Sequence, residues 1–272
     1  MSVLLHVSDT HFGTEQVSVV EALVALSQQQ QPDVLVLSGD ITQRARAGQF
    51  RAARALINRL GKPVLAIPGN HDIPLFNLGA RLLHPYAQHR EVFGDELEPE
   101  HTSPELLVLC VNTTRWYRHQ HGEVSPTQIE RVSKRLAWAE PGQLRVVVVH
   151  HPVAVPCATD AHNLLRGGSA ALQQWAAAGA DLVLGGHIHL PYVMALTNLA
   201  RPMWAVQAGT AVSSRVRDGV PNSVNLLRWG SDAPAGHCLI ERWDHAAARQ
   251  TFVRTAVTHI QPMHTGKPAH VD

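Results

Sequence analysis

The sequence predicts an α/β fold in which parallel strands are joined by crossover helices, with further strands added at the C-terminal side. Three observations carry this. The first half alternates short Val- and Leu-rich runs with stretches of helical periodicity, the pattern of βαβ units. Run after run ends in residues able to bind a metal. Beyond His189 the strand-like stretches follow one another with no long helix between them.

The elements follow in order. Val3 to Val7 forms the first strand; no basic segment precedes it, and the apolar stretch is too short for a secretory signal. Val34 to Leu37 and Val64 to Ile67 are the next two strands. Between them Phe50, Ala53, Ile57 and Leu60 fall on one helical face, which predicts a crossover helix. The segment from Ile73 to Pro104 is polar, proline-interrupted and only weakly helical around Leu78 to Leu83, the profile of a functional lid. Leu106 to Val111 is a fourth strand. Ser125-Pro126-Thr127-Gln128 then opens a helix: Ser125 caps it, Pro126 takes its first position and Gln128 closes a capping box ahead of Ile129, Val132 and Leu136. Val146 to Val149 and Leu182 to Leu184 are two more strands, and Ser169 is expected to cap the helix between them.

Tyr192 to Leu196, Met203 to Gln207, Ser223 to Trp229, Cys238 to Trp243 and Thr251 to Val257 read as an antiparallel addition. Nothing in the composition marks a linker, so residues 1–272 read as one domain. It comprises a βαβ core over 1–190, antiparallel strands over 191–258 and an irregular tail over 259–272.

Bulk composition narrows the function. A hydrophobic content of 45% is ample for a buried core. With 23 basic and 22 acidic residues the net charge is +1, which lacks the broad basic footprint of a nucleic-acid sheath and disfavours a long polyanion as partner. The 3 cysteines, Cys110, Cys157 and Cys238, are odd in number and far apart, which argues against a disulfide framework or a Cys-x-x-Cys knuckle and makes reduced cytoplasm the simplest compartment. No run approaches the roughly 18 apolar residues of a membrane span. The anomaly is histidine, with 18 copies, since neutral imidazole is the commonest metal ligand.

The chemistry-bearing residues sit where the apolar runs stop: Asp9 and His11, Asp40, Asn70-His71-Asp72, His150, and His187 with His189. In an open α/β sheet the carboxyl ends of the strands share one edge, so these residues converge although far apart in sequence. Asp9 and His11 are two apart, as are His187 and His189; in extended backbone that spacing sends both side chains the same way. Gly39, Gly69 and Gly186 each precede one of these residues, which suits a sharp bend with positive φ or a close backbone approach. Mixed oxygen and imidazole donors suit Mn²⁺, Fe or Zn²⁺ better than Ca²⁺.

These residues resemble the motifs of the calcineurin-like metallophosphoesterase family: Asp-x-His, Gly-Asp, Gly-Asn-His-Asp/Glu, a strand-ending histidine and Gly-His-x-His, all present in order from Asp9 to His189. The resemblance implies a four-layer αββα sandwich of mixed sheets with a dinuclear metal site at the carboxyl ends of the strands. It implies a first ion held by Asp9, His11, Asp40 and His189, and a second by Asp40, Asn70, His150 and His187, with Asp40 shared. The ions, Mn²⁺, Fe²⁺/Fe³⁺ or Zn²⁺, would activate a bridging hydroxide for in-line attack on phosphorus. His71 would lie outside the coordination sphere and act on the leaving group.

The neighbouring residues divide. Arg115 and Arg44 are candidate phosphate contacts, because a guanidinium offers forked donors, and His119 and His121 belong with them. His151 is expected to point away from His150 and to orient a neighbour or touch substrate; Asp72 to brace a ligand or cap its loop. His6, His162 and the tail histidines 259, 264 and 270 read as ordinary residues, and Cys157 as a loop residue.

Within the family the stretch Gly39-Asp40-Ile41-Thr42-Gln43-Arg44 departs from the Gly-Asp-x-x-Asp-Arg-Gly of protein phosphatases, and His71 departs from the arginine of lipid A precursor hydrolases. The nearest likeness is to the bacterial class III cyclic-nucleotide phosphodiesterase and glycerophosphodiesterase group, which implies small phosphodiesters as substrates. A DNA or RNA nuclease or a broad phosphomonoesterase of the same superfamily is the alternative, and a non-catalytic scaffold a more distant one. The C-terminal strands offer a surface for a homodimer.

Overall fold

The computed structural model describes residues 1–230 and 236–263. Two six-stranded mixed sheets face each other between helices, the four-layer sandwich expected. In the first sheet β1 (Ser2–Val7) pairs in parallel with β2 (Val34–Leu37), and β2 with β3 (Val64–Ala66). On its other side β1 pairs antiparallel with β10 (Ser223–Trp229), followed by β11 (Cys238–Ala246) and β12 (Thr251–Ile260). The second sheet runs in the order β4 (Glu100–Thr102), β5 (Leu106–Cys110), β6 (Leu144–Val148), β7 (Leu182–Gly185), β9 (Met203–Gln207) and β8 (Tyr192–Leu196).

Both faces of each sheet are covered, so the central strands read as unbroken apolar runs rather than as alternating ones. Period-two alternation then assigns each residue to a layer. Val3, Leu5 and Val7 pack under α1 (Val17–Gln30) and α2 (Ala47–Leu60), whereas Leu4, Val34 and Val36 face Val108, Val146 and Leu184 between the sheets. Leu107, Leu109, Val147 and Val183 turn outward onto α5 (Pro126–Ala137) and α6 (Gly168–Ala178), where Trp175 is fully buried.

Local signals hold at α5, where Gln128 N–H donates to Ser125 Oγ at 3.2 Å and Ser125 N–H to Gln128 Oε1 at 2.9 Å. At α2, Gly61 ends the helix with φ of 63°, where an L side chain would be strained.

Several expectations are corrected. Gly167, not Ser169, is the N-cap residue of α6, and Ser169 lies inside the helix. The segment after Ile73 carries α3 (Leu78–Leu83) where weak helicity is expected, but also α4 (Ala87–Phe93) and the edge strand β4, which the polar sequence hides. The C-terminal strands are not all antiparallel: β9 runs parallel to β7, with Val183 opposite Ala205. The tail is regular as far as Ile260, because β12 continues through His259 in register with Leu239. His264 and His270 lie outside the described residues.

Candidate metal centre

The carboxyl ends of β1, β2, β3, β6 and β7 from the two sheets meet at one edge, and the loops leaving them bring the expected residues together. Asp9 N–H donates to Gly39 O at 3.1 Å and His11 N–H to Asp40 O at 3.0 Å, which ties the first two loops. Gly186 N–H donates to His150 O at 2.9 Å, which ties the two from the second sheet. His187 N–H donates to Asp9 Oδ2 at 3.0 Å and joins the sheets through a candidate ligand.

The Asp-x-His and His-x-His pairs converge by a different route from the extended backbone expected of them. Asp9, His11, Asp40, His187 and His189 all have positive φ, between 40° and 75°. Non-glycine residues rarely adopt this left-handed region, and such strain gathers at functional sites. The glycines serve two separate needs. Gly39 has φ of 101°, whereas a side chain on Gly69 would meet Asp40 N at 2.0 Å and one on Gly186 would meet Ser8 Oγ at 1.9 Å.

Two clusters result. One donor atom from each of Asp9, His11, Asp40 and His189 lies within 4.8 Å of the others, and His150, His151 and His187 make a second such group. His11 Nε2 is 3.1 Å from His189 Nε2, His189 Nε2 is 3.3 Å from Asp9 Oδ1, and His150 Nε2 is 3.3 Å from Asp40 Oδ1. Asp40 therefore touches both clusters. Asn70, on a single 3₁₀ turn of Asn70–Asp72, is buried beside them.

Whether these residues suit a metal is tested by what they leave unsatisfied. Asn70 Oδ1, His150 Nε2 and His187 Nδ1 are buried with no hydrogen-bond partner. Each such atom costs about 1–3 kcal/mol unless something takes its lone pair. Burial pushes the pKa of His11 and of His187 down to about 3, which keeps both rings in the neutral form that ligation needs. Burial also opposes charge on Asp40, but His150 and its neighbours outweigh that and hold the carboxyl well below its usual range. Burial opposes charge on His150 too, but Asp40 beside it outweighs that and pushes its pKa up to about 9. The carboxylates, imidazoles and buried amide oxygen together make a donor set that fits a pair of divalent cations.

His71 follows Asn70 and stands at the opening, its ring edge-on to His11 with centroids 4.9 Å apart. Its N–H donates to Asp40 Oδ1 at 2.9 Å, and its Nδ1 lies 3.0 Å from Gln43 O. A carbonyl only accepts, so Nδ1 carries a hydrogen and Nε2 is the nitrogen left for other partners.

The structure rearranges the neighbouring residues. Arg115 is committed internally, donating to Asn112 O, Thr114 O and Gln128 Oε1 at 3.0, 2.8 and 2.7 Å. It braces its own loop and is not free for a phosphate. Arg44 is exposed and rests over the Phe76 ring at 5.5 Å. His151 is fully buried, with Nδ1 2.8 Å from Thr113 Oγ1 and Nε2 3.0 Å from Gln120 O. Both nitrogens are engaged, so none is left for substrate. It also does not point away from His150: the two rings meet edge-on with centroids 4.9 Å apart, and the His151 ring packs on His187 at 4.6 Å. Among the residues read as ordinary, His6 is fully buried beside Ser38 Oγ at 2.9 Å, and His162 turns back onto its own loop.

Sequence reasoning misses Arg215, whose Nη1 lies 2.8 Å from Gln43 Oε1 and 3.4 Å from His71 Nε2. It misses Gln207 too, a buried side chain that donates to Gly186 O. Neither sits in a motif. The only local signal for Arg215 is a second arginine two residues on, which the structure uses elsewhere: Arg217 grips Asp160 through both Nη atoms at 3.1 Å.

Residues 2–191 match the family model described as calcineurin-like phosphoesterase. The chain is 37% identical over 82 residues to a glycerophosphodiester phosphodiesterase of Enterobacter lignolyticus, a match covering 25% of this chain and 29% of that protein. It is 26% identical over 209 residues to a cAMP/cGMP dual specificity phosphodiesterase of Mycobacterium tuberculosis, covering 69% of this chain and 61% of that one. In both cases the match spans less than two thirds of the relative. A purple acid phosphatase from yellow lupin (Lupinus luteus) seeds superposes with a TM-score of 0.70 at 12% identity, over 96% of this chain and 53% of its own, which is a likeness of fold.

Proposed function

This chain belongs to the calcineurin-like phosphoesterase family, and from that premise we propose that it hydrolyses small phosphodiesters such as 3′,5′-cyclic nucleotides or glycerophosphodiesters. The observation that carries the reading is the convergence of donor atoms of Asp9, His11, Asp40 and His189 into one cluster and of His150 and His187 into a second that Asp40 Oδ1 also reaches, at the shared sheet edge. Asp9, His11, Asp40 and His189 would hold one divalent ion and Asp40, Asn70, His150 and His187 the other, with Mn²⁺, Fe²⁺/Fe³⁺ and Zn²⁺ the ions these donors suit. When bound, such a pair supplies Lewis-acid charge and makes water nucleophilic near neutral pH.

The chain's own residues do the rest. Asp40, reached by His150 on one side and His11 on the other, keeps the two half-sites in register. His71, fixed through Nδ1 by the Gln43 carbonyl, presents Nε2 to the opening, where a leaving oxygen would depart. The names of the two curated relatives support diesters over monoesters. The near-neutral net charge disfavours a nuclease. No helix among the described residues is long and apolar enough to cross a membrane.

The test is metal-depleted protein assayed on bis(4-nitrophenyl) phosphate, then reconstituted with Mn²⁺. Activity should vanish in chelator and return with the metal; equal rates with and without it would sink the reading. A panel of cyclic nucleotides, glycerophosphodiesters, phosphomonoesters and single-stranded DNA then ranks the substrate classes, and a preference for either of the last two would displace the diester assignment.

A further inference from the structure

We propose that Arg215 contacts the substrate, gripping an anionic phosphoryl oxygen beside His71; this rests on the phosphoester reading above. Arg215 lies on the loop between β9 and β10, beyond residue 191, where the family match ends. Its position is fixed by backbone on both sides: Arg215 N–H donates to Ser213 Oγ at 3.1 Å and Thr210 Oγ1 to Arg215 O at 2.7 Å. Ser214 N–H adds a bond to Thr14 O at 2.9 Å, so the loop is pinned to the segment that follows His11.

The guanidinium is half-buried, and among the described residues no carboxylate pairs with it. Other arginines of the chain differ. Arg217 is neutralised by Asp160, Arg201 by Asp181 and Arg118 by Glu123. Partial burial of a cation without its counter-ion is unfavourable, and an incoming anion relieves it. Nη1 is shared between Gln43 Oε1 and His71 Nε2, while Nε and Nη2 are uncommitted. A guanidinium with that edge free matches two phosphoryl oxygens.

Gln43 makes the pair a unit. Its backbone carbonyl accepts from His71 Nδ1 and its side-chain oxygen from Arg215, so one residue aims both groups at the same opening. Arg215 thus occupies the role for which Arg115 is already committed and Arg44 is turned onto Phe76.

The test uses Mn²⁺-reconstituted full-length protein, with inorganic phosphate as probe and calorimetry as readout. Arg215→Ala should weaken phosphate binding about ten- to hundredfold, the range for a lost charged hydrogen bond, and Arg215→Lys should recover part of it. Manganese content should stay as in wild type. Arg51→Ala, an exposed position on α2, controls for overall charge and should bind phosphate normally. With bis(4-nitrophenyl) phosphate, kcat/KM should fall by a similar factor in Arg215→Ala. Wild-type phosphate affinity in Arg215→Ala, loss of manganese along with phosphate, or an equal loss in Arg51→Ala would each overturn the proposal. If wild type binds phosphate through Arg215 yet cleaves no phosphoester, the proposed function fails and the anion contact stands.

Discussion

The Asp72 carboxylate accepts both the backbone N–H and the hydroxyl of Thr42, each at 2.8 Å. Its other oxygen takes Ile41 N–H at 3.0 Å and Gly69 N–H at 2.8 Å. The loop carrying Asp40 is thereby locked to the loop carrying Asn70 and His71. Burial, with the charge of Asp40 nearby, pushes the Asp72 carboxyl up to about 6, and its hydrogen bonds work against that rise. Asp72→Asn keeps the volume but sets an amide NH₂ against backbone donors. Stability should fall by about 1–3 kcal/mol in a urea melt. Mn²⁺ uptake by metal-free protein should weaken with it, and unchanged uptake would show that the lock does not align the half-sites.

Gly186 tests how tightly the two sheets close on the centre. A Cβ there would lie 1.9 Å from Ser8 Oγ and 2.4 Å from Asp9 Oδ2, so Gly186→Ala must push the end of β7 off the end of β1. Overpacking of this kind costs about 1–3 kcal/mol. The expected result is a folded protein that binds metal weakly, read by elemental analysis after dialysis. Gly61→Ala is the comparison: unlike Gly186 it has positive φ, but its Cβ meets nothing within 4 Å. It should lose a little stability and no metal.

The strand ends and the candidate ligands were legible because both are written locally. A run such as Val34 to Leu37, buried on both faces, is continuous in sequence, and Asp40 follows after only Ser38 and Gly39. The crossover helix α2 shows in the spacing of Phe50, Ala53, Ile57 and Leu60, all buried. What escaped depends on partners distant in the chain. β9 and β8 have similar apolar sequences, and only the neighbour each finds makes one parallel to β7 and the other antiparallel to β9. Arg115 and Arg215 look alike as loop arginines. Gln128 and two carbonyls claim the first, whereas Gln43, 172 residues away in sequence, aims the second. The left-handed backbone of the candidate ligands was hidden for the same reason, since nothing in Asp-x-His itself demands positive φ.

The two half-sites should separate by mutation. Asn70→Ala removes a buried amide oxygen that has no protein partner, and His189→Ala removes the ring 3.1 Å from His11. Each variant should retain about one of two ions after dialysis, and the double variant neither. Ion binding also stabilises by linkage, about 2.7 kcal/mol for a site at a hundred times its Kd. Each single variant should therefore show a smaller Mn²⁺-induced rise in Tm than wild type. A rise equal to wild type in either would remove that residue from the coordination set.

His89 makes a prediction remote from the centre. It is buried in α4 against Phe50 and Phe93, ring centroids 6.3 and 5.0 Å away, and neither nitrogen finds a partner. Burial pushes its pKa from 6.5 down to about 3. The unfolded chain therefore takes up a proton near 6.5 while the folded one resists until about 3. Throughout that window the unfolded state binds more protons, so stability falls as pH falls, by up to about 1.4 kcal/mol per pH unit for one such group. His6, also held down to about 3 by burial, adds to the same slope. His89→Leu removes one titrating group together with two unsatisfied nitrogens, and puts a side chain of similar size against the two phenyl rings. The variant should be at least as stable as wild type in urea at pH 7.5, and its advantage should grow towards pH 5. Parallel stability curves for the two proteins over that range would show that the His89 ring is not held neutral by its burial.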